Sequence, residues 1–332
     1  MKAPELISLL DRSYRRSHLI GDLQNGVIAA LDLEGRLFTV INGKVVNRVV
    51  PAAIEKRSNK YAYQNPGGDV LWPAPEGTRL GYEYTTGAWR VPPSVTGAEW
   101  DVIASAENRA LLRAEIDLIN NQQTGIPCEF ERNITIEVAG GFLKQNIRET
   151  IRYIGSKTIE SNDFRLAPWS LCQFNSGADG KVIMPAPGNG DVWDMYGESN
   201  TQRGMEGNLY VVKTLTPRRF QLGISKNVPW IEYIRQGAYR VKRYTLPLPE
   251  AQQHIDISDI SPEQQPSDKK VSLSVYCDPS GFMEIEACGG TAKTLTPGTE
   301  LSVEVVTEYQ FISDVNHKEY QKVNSVPVKQ HP

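Results

Sequence analysis

Histidine is scarce in this chain of 332 residues: His18, His254, His317 and His331 are the full set. Three stand towards the ends and His254 falls in a polar stretch, so a serine–histidine triad or a histidine-built metal site has little material. Cysteine is as sparse. Cys128, Cys172, Cys277 and Cys288 are dispersed, with no CxxC and no close histidine, which argues against a zinc site or a disulfide framework and leaves buried reduced thiols. No run approaches the ~18 apolar residues of a membrane span. The start, MKAPELISLLDRSYRRSHLIGD, lacks the apolar run of a secretory signal. The expectation is a cytoplasmic chain, or a periplasmic or secreted one if a signal was removed before this numbering, with no membrane partner. A net charge of −3 leaves no field to gather phosphates, so nucleic acid is not an expected partner. Arg218-Arg219 and the group Arg240, Lys242, Arg243 read as strand-edge or pocket charges. Gly67-Gly68 is followed by no GK[ST], so it reads as a turn and not a phosphate loop, and no cofactor motif is found.

What is present is strand. After one short amphipathic helix at PELISLLDRSYRR, runs such as GVIAALDLEGRLFTVING, NITIEV, KQNIRETIRYIGS, NLYVVKTL, RFQLGIS, VSLSVYC, FMEIEAC and LSVEVVTEYQF recur between Gly, Pro, Asn and Asp clusters. AEWDVIASAENRALLRAEIDLI reads as a helix, although its second half fits a strand equally well. Residues 247–270 read as a long surface loop. Many strands at short spacing predict an all-β sandwich or barrel, with residues 1–19 as an N-terminal helix and extension, 20–312 as one domain and 313–332 as a polar tail.

Two groups of residues carry possible chemistry. In GFMEIEACGG, alternation puts Glu284, Glu286 and Cys288 on one face and Met283, Ile285 and Ala287 on the other. Two acids on one face can shuttle protons, yet the same alternation marks any half-buried strand. The second group is tryptophan. Trp72 with Glu76, Trp89 with Arg90, Trp169, and Trp193 between Asp191 and Asp194 lie in turn-rich, polar surroundings. Rings flanked by hydrogen-bonding residues suit a sugar, which offers a C–H face and hydroxyls. Any single one reads as core; four together point to a pocket. GNGDVWDMYGES also offers Asp191, Asp194 and Glu198 to a hard cation, but its spacing matches no EF-hand loop.

Three stretches, NPGGDVLWPAPEG, RFQLGISKNVPWIEYIRQGAYRVKRYTL and VYCDPSGFMEIEACGGTAKTLTPGTELSVEVVTEYQF, together resemble segments of the galactose mutarotase-like (aldose 1-epimerase-like) superfamily, in its poorly characterised branch. The resemblance implies a large antiparallel β-supersandwich with few short helices and a sugar or glycan bound on a concave face. It also implies a glutamate near the C-terminal end that takes the anomeric proton, and a histidine that protonates the ring oxygen. Glu286 best matches that glutamate, with Glu284 the nearest competitor. The histidine has no match: its place reads LAPWSLCQF, with Trp169 and Gln173. If chemistry remains, an acid with raised pKa serves, either the other of Glu284 and Glu286 or Glu76, while Arg90, Arg152 or Lys242 clamps an acidic sugar. The resemblance thus implies carbohydrate recognition, with a mutarotase that has kept a Glu base as one form and a binding or interaction module that has lost catalysis as the other.

Overall fold

The computed structural model describes residues 1–59, 62–77, 79–81, 91–235, 238–258, 261, 263–264 and 269–311. Trp89, Arg90, His317, His331 and the 313–332 tail lie outside them. Two ten-stranded antiparallel sheets face each other, as expected of a large all-β sandwich with few short helices. The first sheet runs in the order Ser17–Gly21, Asn25–Ala30, Arg36–Ile41, Asp69–Ala74, Ala167–Asn175, Phe282–Cys288, Leu273–Asp278, Phe220–Ile224, Val192–Tyr196, with Lys44–Val45 paired to Arg36–Ile41. The second runs Arg203–Glu206, Leu209–Lys213, Gly180–Pro185, Ile231–Arg235, Tyr239–Thr245, Glu300–Phe311, Phe142–Tyr153, Gly125–Ala139, Arg109–Ile119, Asp101–Ala106.

Alternation decides which side chains meet between the sheets. In Gly125–Ala139 every second residue from Ile126 to Ile136 is buried, and Phe142–Tyr153 alternates likewise. The segment read as a helix is a hairpin instead, Asp101–Ala106 and Arg109–Ile119. Its second strand buries Ala110, Leu112, Ala114, Ile116 and Leu118, a period of two that lets Arg113 pair with Glu129 and Glu131 across the next strand. His254 is half-buried, not in an open loop: Gln253–His254 pairs with Gly290–Thr291, and burial pushes the imidazole down to about 4. The helix Ala3–Arg12 buries Ala3, Leu6, Leu9 and Leu10 against Ile28, Ala30, Phe38 and Val40, closing one end of the outer face of the first sheet. Among the described residues no helix is long and apolar enough to cross a membrane.

One charged cluster breaks the apolar interior. Asp69, Arg132, Glu149 and Arg243 are all fully buried between the sheets. Arg132 donates to Glu149 (2.7 and 3.0 Å) and to the Gly35 and Asp69 carbonyls (both 2.9 Å), and it pairs with the Asp69 carboxylate. Arg243 donates to the other Asp69 oxygen at 2.8 Å, to Thr307 at 2.9 Å and to Ser170 Oγ at 2.6 Å. Burial pushes the Asp69 carboxyl up, but Arg243 and Arg132 together outweigh it and hold it below its ordinary value.

The Gly-Gly turn is required by geometry. Gly67 and Gly68 have φ of +89° and +83°, and a Cβ on Gly67 would stand 2.0 Å from the Arg48 carbonyl oxygen. Gly67→Ala is therefore expected to cost about 1–3 kcal/mol in backbone strain alone. A lowered midpoint in urea unfolding checks it, and an unchanged midpoint would mean that the turn relaxes freely.

Candidate functional site

The strand Phe282–Cys288 lies between Ala167–Asn175 and Leu273–Asp278, and its register decides what faces the two glutamates. Glu284 is opposite Gln173 and Tyr276; Glu286 is opposite Leu171 and Ser274; Cys288 is opposite Trp169. Trp169 is opposite Trp72 on the next strand. Directly paired residues share a face, so Trp72, Trp169, Gln173, Glu284, Glu286, Ser274 and Tyr276 all lie on the side of the first sheet that faces away from the second.

Both glutamates are buried, Glu284 at 6% exposure and Glu286 at 0%, which answers the question that alternation left open: this is not the wet side of a strand. Glu286 accepts from Trp169 Nε1 at 3.0 Å and from Gln221 Nε2 at 3.3 and 3.0 Å. Gln173 Nε2 donates to Glu284 at 2.6 Å. Burial raises both carboxyls. Glu284 is raised well above its ordinary value, first by burial and then by the charge of Glu286, and the two share a hydrogen bond. Hydrogen bonds from Ser274, Trp169, Gln221 and Glu284 oppose the rise at Glu286. Two buried carboxyls this close resist both being ionised, so the pair favours holding a proton, with the stronger upward push on Glu284.

The tryptophans form the floor beside this pair. Trp72 and Trp169 pack edge to face at 6.2 Å, and each indole N–H is assigned to a different acid, Trp72 donating to Glu34 at 2.9 Å. Glu34 also accepts from Arg36 at 2.9 Å and from the Tyr63 hydroxyl at 3.2 Å. Trp193 stands on the same face, three strands from Glu286, through the row Trp193, Gly223, Ser274, Glu286. A Cβ on Gly223 would lie 2.4 Å from its indole, so glycine lets the ring lie over the sheet. Gln173 Oε1 and Trp193 Nε1 are buried without a hydrogen-bond partner among the described residues.

The structure thus gathers Glu284, Glu286, Trp72, Trp169 and Gln173, and sets Trp193 on their face. Glu76 is buried just beyond Asp69–Ala74. Arg152 and Lys242 are elsewhere: both point outward from the second sheet, where Arg152 pairs with Glu129 and Glu300 and Lys242 lies 4.8 Å over Trp230. Trp100, 1% exposed, is core. Asp191 accepts from Ser225 and Asn227, Asp194 from Ser199 and Arg203, and Glu198 from Asn200, so these acids are held by separate partners and do not converge. Among the described residues no group of three His, Cys, Asp or Glu could hold a metal ion. A polar cavity of about 440 Å³, lined by Arg79, Gln122, Asp163 and Arg165 among others, includes neither glutamate. Sequence reasoning missed Glu34, Gln221 and Ser274. Gln221 carried a weak signal, since it is a polar residue inside the strand-like run RFQLGIS.

The raised Glu284 has a consequence for stability. The folded protein keeps this proton above the ordinary glutamate pKa of about 4.3, where the unfolded chain has released it, so the group's contribution falls as pH rises through that window. Its slope is at most about 1.4 kcal/mol per pH unit. Glu284→Gln keeps a donor to Glu286 and an acceptor for Gln173 without the charge. This variant is expected to melt higher than wild type at pH 8, by about 2–4 °C per kcal/mol relieved, with the gap narrowing at pH 5. A gap independent of pH would show that Glu284 is not the proton holder.

No protein-family model matches the sequence, and no curated protein does so. Solved structures do. The Slr1438 protein from Synechocystis sp. PCC 6803 superposes with a TM-score of 0.55 at 12% identity, over 90% of this chain and 96% of that one. A galactose mutarotase-like protein from Lactobacillus casei ATCC 334 gives 0.54 at 13% identity, over 89% of this chain and 100% of that one. Likeness at such identities establishes the fold, and the chain has the galactose mutarotase-like fold.

Proposed function

Starting from a galactose mutarotase-like fold, we propose that this protein binds an aldose on the outer face of its first sheet and interconverts the sugar's anomers, with Glu286 as base and Glu284 as acid. The observation that carries the proposal is a pair of buried glutamates on one face of one strand, with Trp169 donating to Glu286 and Trp72 packed against that ring. The anomeric O1–H proton passes to Glu286 while the Glu284 proton passes to the ring oxygen; the C1–O5 bond breaks and leaves an open-chain aldehyde. Rotation about C1–C2 presents the other carbonyl face. Closure runs the same transfers backwards, so the pair ends in its starting protonation state and Glu284 replaces the absent histidine. The unpartnered Gln173 Oε1 and Trp193 Nε1 supply an acceptor and a donor for sugar hydroxyls. Glycoside hydrolysis is a poorer match, because it separates its two carboxyls by about 5 Å or more with the sugar between them.

A second reading, binding without turnover, is favoured by one observation: Glu286 is fully enclosed, with its oxygens committed to Trp169, Gln221, Ser274 and Glu284. Exchange NMR on a panel of neutral and acidic aldoses separates the two. Accelerated anomer interconversion is the expected result; line broadening of the sugar without acceleration would leave a binding module, and no response to any sugar would remove both readings.

A further inference from the structure

Asparagine is followed by glycine at three places, Asn25-Gly26, Asn42-Gly43 and Asn189-Gly190. The dipeptide is reactive in a free chain, because glycine puts no side chain in the way of its own amide nitrogen, which can attack the asparagine side-chain carbonyl carbon. In a folded protein the local backbone decides whether those atoms can meet. Two of the three are held away from reaction. Gly26 is buried in the strand Asn25–Ala30, which has a strand on either side, and the Asn25 side-chain oxygen accepts from Asn42 N–H at 3.3 Å. Asn42-Gly43 closes a hairpin with left-handed φ at both residues, +49° and +72°. Gly43 is fixed through both of its backbone groups, its N–H donating to the Gln24 carbonyl at 2.9 Å and its carbonyl accepting from Ala3 N–H at 3.0 Å. Asn189-Gly190 differs. It is the tip of the turn between Gly180–Pro185 and Val192–Tyr196; both residues are exposed, and among the described residues neither makes a hydrogen bond. Only the flanks are clamped, Asp191 N–H donating to the Gly188 carbonyl at 3.2 Å and the Asp191 carboxylate accepting from Gly188 N–H at 3.0 Å. Gly190 has φ +84°, and a Cβ placed on it would meet nothing within 4 Å.

We propose that Asn189 is a site of spontaneous covalent modification, converting through a cyclic imide to aspartate and isoaspartate. Hydroxide takes the Gly190 amide proton, the nitrogen bonds to Asn189 Cγ, and the Cγ–Nδ2 bond breaks as a proton from water lets ammonia leave, so hydroxide is returned. Water then opens the five-membered imide. Opening at Cγ gives aspartate; opening at the main-chain carbonyl gives isoaspartate, in which the backbone runs through the former side chain and is longer by one carbon. Either product places a negative charge two residues from Asp191. The turn feeds the edge strand that carries Trp193, whose indole lies over Gly223 with its N–H unpartnered among the described residues, so a change at the tip is transmitted to the face that holds Glu284 and Glu286. The chemistry needs no ligand on that face and stands apart from the sugar-binding reading.

The test holds the whole folded chain at 37 °C and at pH 6, 7.5 and 9, then digests it and maps the peptides by mass spectrometry, with isoaspartate counted by methyl transfer from S-adenosylmethionine using an isoaspartate-specific methyltransferase. The peptide holding Asn189 is expected to gain about one mass unit, NH₂ exchanged for OH. The gain should be faster at higher pH and at least about tenfold faster than at Asn25 or Asn42. In guanidinium chloride the three rates should converge, because the fold is what separates them. Asn189→Gln, whose longer side chain closes a larger ring, should remove the signal from this peptide. In ¹⁵N spectra the Trp193 indole N–H is expected to give a second peak that grows with the modified fraction. No reaction at Asn189, or equal rates at the three asparagines of the folded protein, overturns the proposal. Modification that leaves the Trp193 peak unmoved overturns its reach to the glutamate face.

Discussion

Anomer interconversion by Glu286→Gln is expected to fall by about 10²–10⁴-fold, the usual contribution of a positioned acid or base. A glutamine there cannot take the anomeric proton, whereas the surrounding donors, Trp169 Nε1 and Gln221 Nε2, are placed for an ionised carboxylate. The pH profile should be bell-shaped. Its acid limb reports protonation of Glu286, and its alkaline limb reports loss of the Glu284 proton, above the ordinary carboxylate range because burial and the neighbouring charge favour the neutral acid. Glu284→Gln should lower the rate and abolish the alkaline limb while melting higher, so activity and stability move in opposite directions at one residue. Rates by NMR exchange between pH 4 and 9 check all of this. A wild-type rate in Glu286→Gln would place the base elsewhere and end the mechanism.

Much of this site was legible in the sequence, and what was not follows from how sheets are built. Alternation in FMEIEAC put both glutamates on one face, and the parity of Trp169 and Gln173 puts them on a common face of their own strand. Strand period could not say which strands are neighbours. Asp69–Ala74, Ala167–Asn175 and Phe282–Cys288 lie side by side although each is about a hundred residues from the next, so the contacts of Glu286 with Trp169 and Gln221 come from sheet order alone. The same limit explains the misplaced cations. Arg152 and Lys242 lie in strands whose neighbours Ile151, Tyr153, Val241 and Arg243 are buried, so both point outward, but from the sheet remote from the glutamates. The buried Arg132 did carry a periodic signal, falling on the parity of Phe130 and Ile134 in EFERNITI.

That arginine belongs to the cluster behind the site, where the largest loss of stability is expected. With all four groups ionised, Asp69, Glu149, Arg132 and Arg243 sum to zero charge at full burial. Asp69→Asn leaves two guanidinium groups with one carboxylate, and Arg243→Met leaves one guanidinium with two carboxylates. Each single variant thus strands a buried charge and should cost about 3–5 kcal/mol. The double variant restores neutrality through the remaining Arg132–Glu149 pair (2.7 Å), so it should be more stable than either single variant, with a coupling energy near the top of the usual range of about 0.5–3 kcal/mol. Urea unfolding of the four proteins measures this, and simple additivity would show that the charges are not acting as one neutral unit. The consequence reaches the site. Asp69 shares a strand with Trp72, and Ser170, which accepts from Arg243, lies next to Trp169, so the cluster pins to the second sheet the two strands that present the paired indoles. Variants that unbalance it should therefore weaken sugar binding at temperatures well below their melting points, whereas the balanced double variant should not.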